Sequence, residues 1–155
     1  MGFEEKKESD IKLIESLLSY LQDSKTDYTN FFRNLHKVHE TKNNLFQDEK
    51  GKAWLEKFQE RFKEEKISKE TSQEKMLTNN PKFILRNYLA HQAIKKAESG
   101  DFSEVELLAN ILNKPFDEQS KYESYSEPSP EWGKSLEISC SCLLYTSDAA
   151  DECSG

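Results

Sequence analysis

Asn80-Pro81-Lys82-Phe83-Ile84-Leu85-Arg86-Asn87-Tyr88-Leu89-Ala90-His91-Gln92-Ala93-Ile94 is the stretch that sets the fold class. An Asn side chain can accept a bond from the first turn of a helix, and Pro suits the first helical position because its missing N–H would have no partner there. The spacing predicts a helix from Pro81 to about Ser99, with Ile84, Leu85, Tyr88, Leu89 and Ala93 on its inner face and Gly100 as a left-handed stop. Ser103 and Glu106 then form a capping-box pair ahead of Val105, Leu107, Leu108, Ile111 and Leu112, a second helix that Asn113-Lys114-Pro115 ends.

Upstream the same periodicity recurs. Ser9-Asp10 precede Ile11, Ile14, Leu17, Leu18 and Leu21, one apolar stripe on a capped helix. Thr26-Asp27 open a helix that carries Phe31, Phe32, Leu35 and Val38 inward. Thr41 to Gly51 is polar and reads as a loop anchored by Leu45-Phe46, followed by a helix with Trp54, Leu55, Phe58 and Phe62. Thr71-Ser72-Gln73-Glu74 has the capping-box pattern, placing Met76 and Leu77 on a short helix or turn. From Asp117 the chain is rich in Ser, Glu, Tyr and Pro, and Pro128-Ser129-Pro130 is expected to be extended, with Trp132 pinning the tail to a helical surface. Leu136-Glu137-Ile138-Ser139 alternates but is too short to define a strand. The expectation is an all-α fold over residues 1–115 with an extended tail over 116–141.

The 155 residues are 35% hydrophobic and 33% charged, with a mean hydropathy of −0.89. That is a thin supply for a core, yet nine Phe, six Tyr and two Trp are too many aromatics for a disordered chain. The net charge of −7 disfavours nucleic-acid and anionic-membrane binding, and no apolar run reaches the ~20 residues of a membrane span. With no apolar signal-peptide core after Met1, an intracellular protein is expected.

All three cysteines, Cys140, Cys142 and Cys153, lie in the last sixteen residues. Cys142 to Glu152 resembles a translated transposase sequencing adapter, since TGT CTC TTA TAC ACA TCT GAC GCT GCC GAC spells Cys142 to Asp151 in one frame. Residues 142–155 are therefore expected to be a processing scar. Without Asp148, Asp151 and Glu152 the 29 acidic residues become 26 against 22 basic ones, and the charge becomes −4.

Candidate chemistry is sparse. His36 and His39 with Glu40 could begin a metal site, but zinc needs three or four converging ligands and a solvated polar face is the simpler reading. His91 reads as a partly buried structural residue. Asp101-Phe102-Ser103 has the look of the kinase Asp-Phe-Gly motif, but the stop at Gly100 and the cap at Ser103 explain it as punctuation between helices. Arg86 could meet a phosphate or anchor a neighbouring loop, and the second use is the commoner. No Gly-x-Ser-x-Gly elbow or glycine-rich loop is present. Cys140, near the end of a polar tail, is the candidate redox residue, with Lys134 and Glu137 pulling its thiol in opposite directions. No catalytic, cofactor-binding or metal residue is assigned.

Several blocks taken in order carry a resemblance: Thr29-Asn30-Phe31-Phe32-Arg33-Asn34-Leu35, Trp54-Leu55-Glu56-Lys57-Phe58, Asn80 to Ile94, Ala97-Glu98-Ser99-Gly100-Asp101, and Pro130-Glu131-Trp132 leading to Ser139-Cys140-Ser141. Together they resemble the C-terminal region of the selenoprotein O (SelO) family. The resemblance implies a protein-kinase-like (pseudokinase) fold that transfers AMP from ATP, with Mg or Mn, onto Ser, Thr or Tyr of protein substrates. It implies that the family's nucleotide-binding lysine, metal-binding Asn and Asp, and catalytic Asp all precede this region. ATP and metal are then not expected to bind this fragment, Met1 is an internal methionine or a truncated gene start, and the main partner is the missing N-terminal kinase-like core. The family ends in a cysteine or selenocysteine at the position of Cys140, which implies a redox role, most simply as a disulfide partner for a cysteine of the missing part. A bacterial member would be cytoplasmic and a eukaryotic one mitochondrial. A stand-alone helical interaction module is the alternative.

Overall fold

The first helix, α1 (Ser9–Asp23), buries Leu13, Leu17 and Leu21 on one side. α2 (Tyr28–Asn34) begins at Asp27, whose carboxylate accepts the Asn30 N–H at 2.9 Å, and tightens into a 3-10 turn over Leu35–His39. α3 (Glu49–Phe62) is capped in the same way by Asp48, which accepts the Gly51 N–H at 2.7 Å. α4 (Lys69–Asn79) starts from Ser68, α5 spans Asn87–Glu98 and α6 spans Ser103–Leu112. Short 3-10 turns follow at Ser120–Ser126 and Glu131–Gly133. The computed structural model describes residues 1–40 and 44–136, and among them every regular element is helical.

The chain divides into two compact units. One comprises Met1–Ile84 with Asn110–Pro128, and the other Leu85–Ala109 with residues 129–136 of the described chain. The core of the first is aromatic. Phe46 contacts Tyr20 and Phe31, each at 5.5 Å between ring centroids, and Trp54 at 5.2 Å, while Trp54 stacks on Phe58 at 5.5 Å. Phe3 continues the stack against Phe58 at 5.2 Å. Few side chains do this work because each ring removes about 150–250 Å² from water. The Trp54 indole N–H is not left bare in that setting and donates to the Leu13 carbonyl at 2.9 Å.

Arg61, buried on α3, pins the N-terminal segment. Its guanidinium donates to both Asp10 oxygens at 2.6 and 3.2 Å, to Glu65 at 2.6 Å and to the Glu5 carbonyl at 2.8 Å, and it lies 4.4 Å over the Phe3 ring. Burial by itself would raise the Asp10 carboxyl, but the bonds from Arg61 and the Lys7 N–H hold it below its ordinary 3.8.

In the second unit, Gly100 takes a φ of +86° and closes α5 as expected, with its N–H on the Ala97 carbonyl at 2.9 Å. Asp101 then accepts the Ser103 N–H at 3.0 Å, and Lys96 pairs with Glu104 at 2.7 Å. Trp132 meets Tyr88 edge-on at 6.0 Å, and Gly133 sits so close to the Tyr88 side chain that a Cβ there would lie 2.8 Å from it.

Four sequence expectations are corrected. The helix foreseen from Pro81 begins at Asn87: the Lys82 and Phe83 N–H groups, which a side-chain cap at Asn80 would have to satisfy, both donate to the Pro115 carbonyl instead. Leu85, expected inside, is exposed. α4 is capped by Ser68, which accepts the Thr71 N–H at 3.1 Å, and Ser72 is a fully buried mid-helix residue rather than part of a cap. On α1 the buried row is Leu13, Leu17 and Leu21, while Ile11, Ile14 and Leu18 face out.

Two predictions follow from the packing. Gly51 lies in the first turn of α3, where Ala normally gains about 0.5–1 kcal/mol. A Cβ at that position would lie 2.6 Å from the Phe46 ring and 2.8 Å from its Cβ, so Gly51→Ala is expected to lower the urea midpoint instead of raising it. His39, whose Nε2 lies 3.0 Å from the Ser72 hydroxyl and whose ring lies 4.4 Å from that of Phe62, has its pKa lowered from 6.5, by burial first and by Lys69 second, against a smaller opposing effect of Glu70. The unfolded chain therefore binds a proton on His39 more readily than the native one. This contribution to stability is complete above pH 6.5 and is lost as the pH falls through the native pKa. Unfolding free energies measured between pH 7.5 and about 5 should fall toward acid in the wild type and stay flatter in His39→Gln.

Candidate functional site

The densest convergence of charge lies where the end of α4, the extended residues 80–83 and the segment after α6 meet α2. It is built around Arg33, which α2 carries buried beside Phe31 and Phe32. One guanidinium nitrogen donates to the Leu77 carbonyl at 2.9 Å and the Asn80 carbonyl at 3.2 Å. The other donates to the Phe116 carbonyl at 3.0 Å and to Glu118 at 2.7 Å. A planar fork with five donors is the side chain that can serve four acceptors from two segments at once.

Lys82 completes the arrangement. Its ammonium bridges Glu118 at 2.5 Å and Glu123 at 2.6 Å, and the N–H groups of Lys82 and Phe83 share the Pro115 carbonyl at 2.7 and 3.1 Å. Gln119 ties in the end of α6 through the Ile111 and Lys114 carbonyls. Bonds from Lys82 and Arg33 hold the Glu118 carboxyl below its ordinary range, against a smaller opposing effect of burial. For Lys82, burial pulls the ammonium down, but the two carboxylates outweigh it and raise it above 10.5. A groove of about 500 Å³ opens beside these groups, lined also by Asn30, Asn34 and Lys37. Arg33 and Lys82 pair there with Glu118 and Glu123, and these four groups neutralise one another and crosslink the chain.

The residues singled out from sequence fall elsewhere. His36 Nδ1 lies 2.9 Å from the Arg33 carbonyl and His39 meets Ser72, so the two histidines serve different partners. Among the described residues no three His, Cys, Asp or Glu side chains group as metal ligands. Arg86 is buried at the residue before α5, and His91 is half-buried. Asp101 serves the turn before α6. Cys140, Cys142 and Cys153 lie outside the described residues. Sequence reasoning did not single out Arg33, Lys82 or Glu118. The available signal was an arginine set among Phe31, Phe32 and Leu35 in a chain with few apolar residues to spare.

Arg33→Ala would leave three part-buried backbone acceptors without this donor and Glu118 with Lys82 alone, at a cost of about 1–3 kcal/mol, that of an unmet buried acceptor. Urea unfolding should show that loss, and amide exchange should rise over residues 115–123. Arg33→Lys should not restore stability, because a single ammonium cannot reach both sets of acceptors. A Lys variant as stable as the wild type would contradict the crosslinking role.

Comparison with known proteins supplies the family. The family model described as protein adenylyltransferase SelO matches residues 1–113. A protein nucleotidyltransferase YdiU of Vibrio parahaemolyticus is 45% identical over 152 residues, covering 91% of this chain and 31% of its own length. Proteins of the same name from Pseudomonas fluorescens and Aliivibrio fischeri are 45% and 44% identical, each covering 91% of this chain and 30% of its own length. The chain thus spans about a third of the length of the curated relatives it matches, and no helix among its described residues is long and apolar enough to cross a membrane. On the match over residues 1–113, this chain belongs to the SelO family of protein nucleotidyltransferases.

Proposed function

We propose that this chain is the C-terminal helical part of a SelO-type protein adenylyltransferase, an enzyme that transfers AMP from ATP to Ser, Thr or Tyr of protein substrates. On this reading the groups that bind ATP and Mg or Mn, and those that catalyse transfer, belong to a kinase-like core in the remaining two thirds of the enzyme. The 155 residues buttress that core from within the same polypeptide. The observation that carries the reading is the family match over residues 1–113, in relatives of which this chain covers only about 31%. The structure is consistent with it, since Arg33, Lys82 and Arg61 are each bonded to internal carboxylates and carbonyls. Cys140 is assigned a redox role, as a disulfide partner for a cysteine of the core; the basis is its place after Pro130-Glu131-Trp132, where the family carries its terminal cysteine or selenocysteine.

The test uses labelled ATP, Mg or Mn, and a mixture of protein acceptors. A full-length fusion, in which the upstream two thirds of the Vibrio parahaemolyticus relative continues into this chain, should label acceptors, and the purified 155-residue chain should not. Transfer of AMP by the 155-residue chain alone would refute the assignment. In the fusion, Cys140→Ser should abolish a reductant-sensitive mobility shift on non-reducing gels; an unchanged shift would remove the redox role.

A further inference from the structure

Helix α1 carries more apolar surface than the described fold covers. At about 100° per residue, the sector from Leu13 through Leu17, Leu21, Ile14 and Leu18 to Ile11 spans about 160°. A helix packed against one layer needs an apolar stripe of about 100°. The surplus is in the open, with Ile11 57%, Ile14 38% and Leu18 36% exposed beside the fully buried Leu17 and Leu21. Tyr28, 44% exposed, donates its hydroxyl to the Leu18 carbonyl at 3.3 Å and so prolongs the strip past the first helix. Its outer edge carries Glu8 and Glu15, exposed two turns apart with the exposed Lys12 on the turn between, and neither carboxylate has an ion-pair partner among the described residues.

We infer that Ile11, Ile14, Leu18 and Tyr28 form a docking strip for the upstream polypeptide of the full-length enzyme, which meets it with an apolar surface rimmed by Lys or Arg opposite Glu8 and Glu15. This rests on the reading of the chain as one part of a longer transferase. Relatives of which it covers about 31% carry the rest of their length in the same polypeptide. Tethering supplies such a neighbour at high effective concentration. A second copy fits less well, because two chains of net charge −7 would bring their acidic edges together.

The strip is tested in the same full-length fusion with p-benzoylphenylalanine in place of Ile14, or of Ser19 on the polar side of α1 as control. Irradiation should yield adducts between residue 14 and upstream peptides in the monomer, identified by mass spectrometry, and none from residue 19. Adducts between two copies, or none from residue 14, would overturn the proposal. In parallel, Ile14→Glu with Leu18→Glu should lower the thermal midpoint of the fusion by more than that of the 155-residue chain. Equal drops in both would also overturn it. AMP transfer by the unsubstituted fusion reports separately on the enzymatic reading: transfer without adducts sinks the strip alone, and adducts without transfer sink the enzymatic assignment alone.

Discussion

Arg33 is the side chain on which the arrangement around α2 depends. A guanidinium cannot be deprotonated under ordinary conditions, so once α2 carries it inward its donors must be met by acceptors. The acceptors come from Leu77 and Asn80 at the end of α4 and from Phe116 and Glu118 beyond α6. Meeting them draws residues separated by more than 80 positions to one point. It places the extended residues after Asn80 beside Pro115, whose carbonyl then takes two N–H groups.

The same economy governs the rest of the first unit. With 35% hydrophobic residues the chain cannot fill a core with aliphatic side chains alone. It relies on contiguous rings from Tyr20 to Phe62, and it closes the margins with buried arginines whose bonds are internal. Such pairs do not reward folding strongly, because desolvation consumes most of their attraction, but breaking one leaves a bare charge. Their value lies in fixing which segments meet.

The sequence was most legible where local chemistry acts alone. Asp27 and Gly100 do what their residue types predict, and Trp54, Phe58 and Val38 are inside as their spacing requires. Phe46, marked as the anchor of a polar loop, is buried among rings. Errors arose where two local signals were both valid. Pro81 is acceptable either as a first helical residue or after an extended one, and the distant Pro115 carbonyl, which takes the Lys82 and Phe83 N–H groups, accompanies the second choice. On α1 both halves of a wide apolar sector satisfy helical periodicity, so spacing cannot say which half meets α3. The Arg33 site was least legible, since three of its acceptors are backbone carbonyls, which leave no signature in a sequence.

The residues alone determined that the chain is helical, that its helices start and stop near particular caps, that its core is aromatic, and that its ordered blocks match one family. These follow from propensity, periodicity and side-chain chemistry, which act within a few residues. Which face of α1 is covered, where α5 begins and what satisfies Arg33 and Arg61 were decided only in three dimensions. Each depends on groups distant in sequence competing for the same buried donors, acceptors and surface.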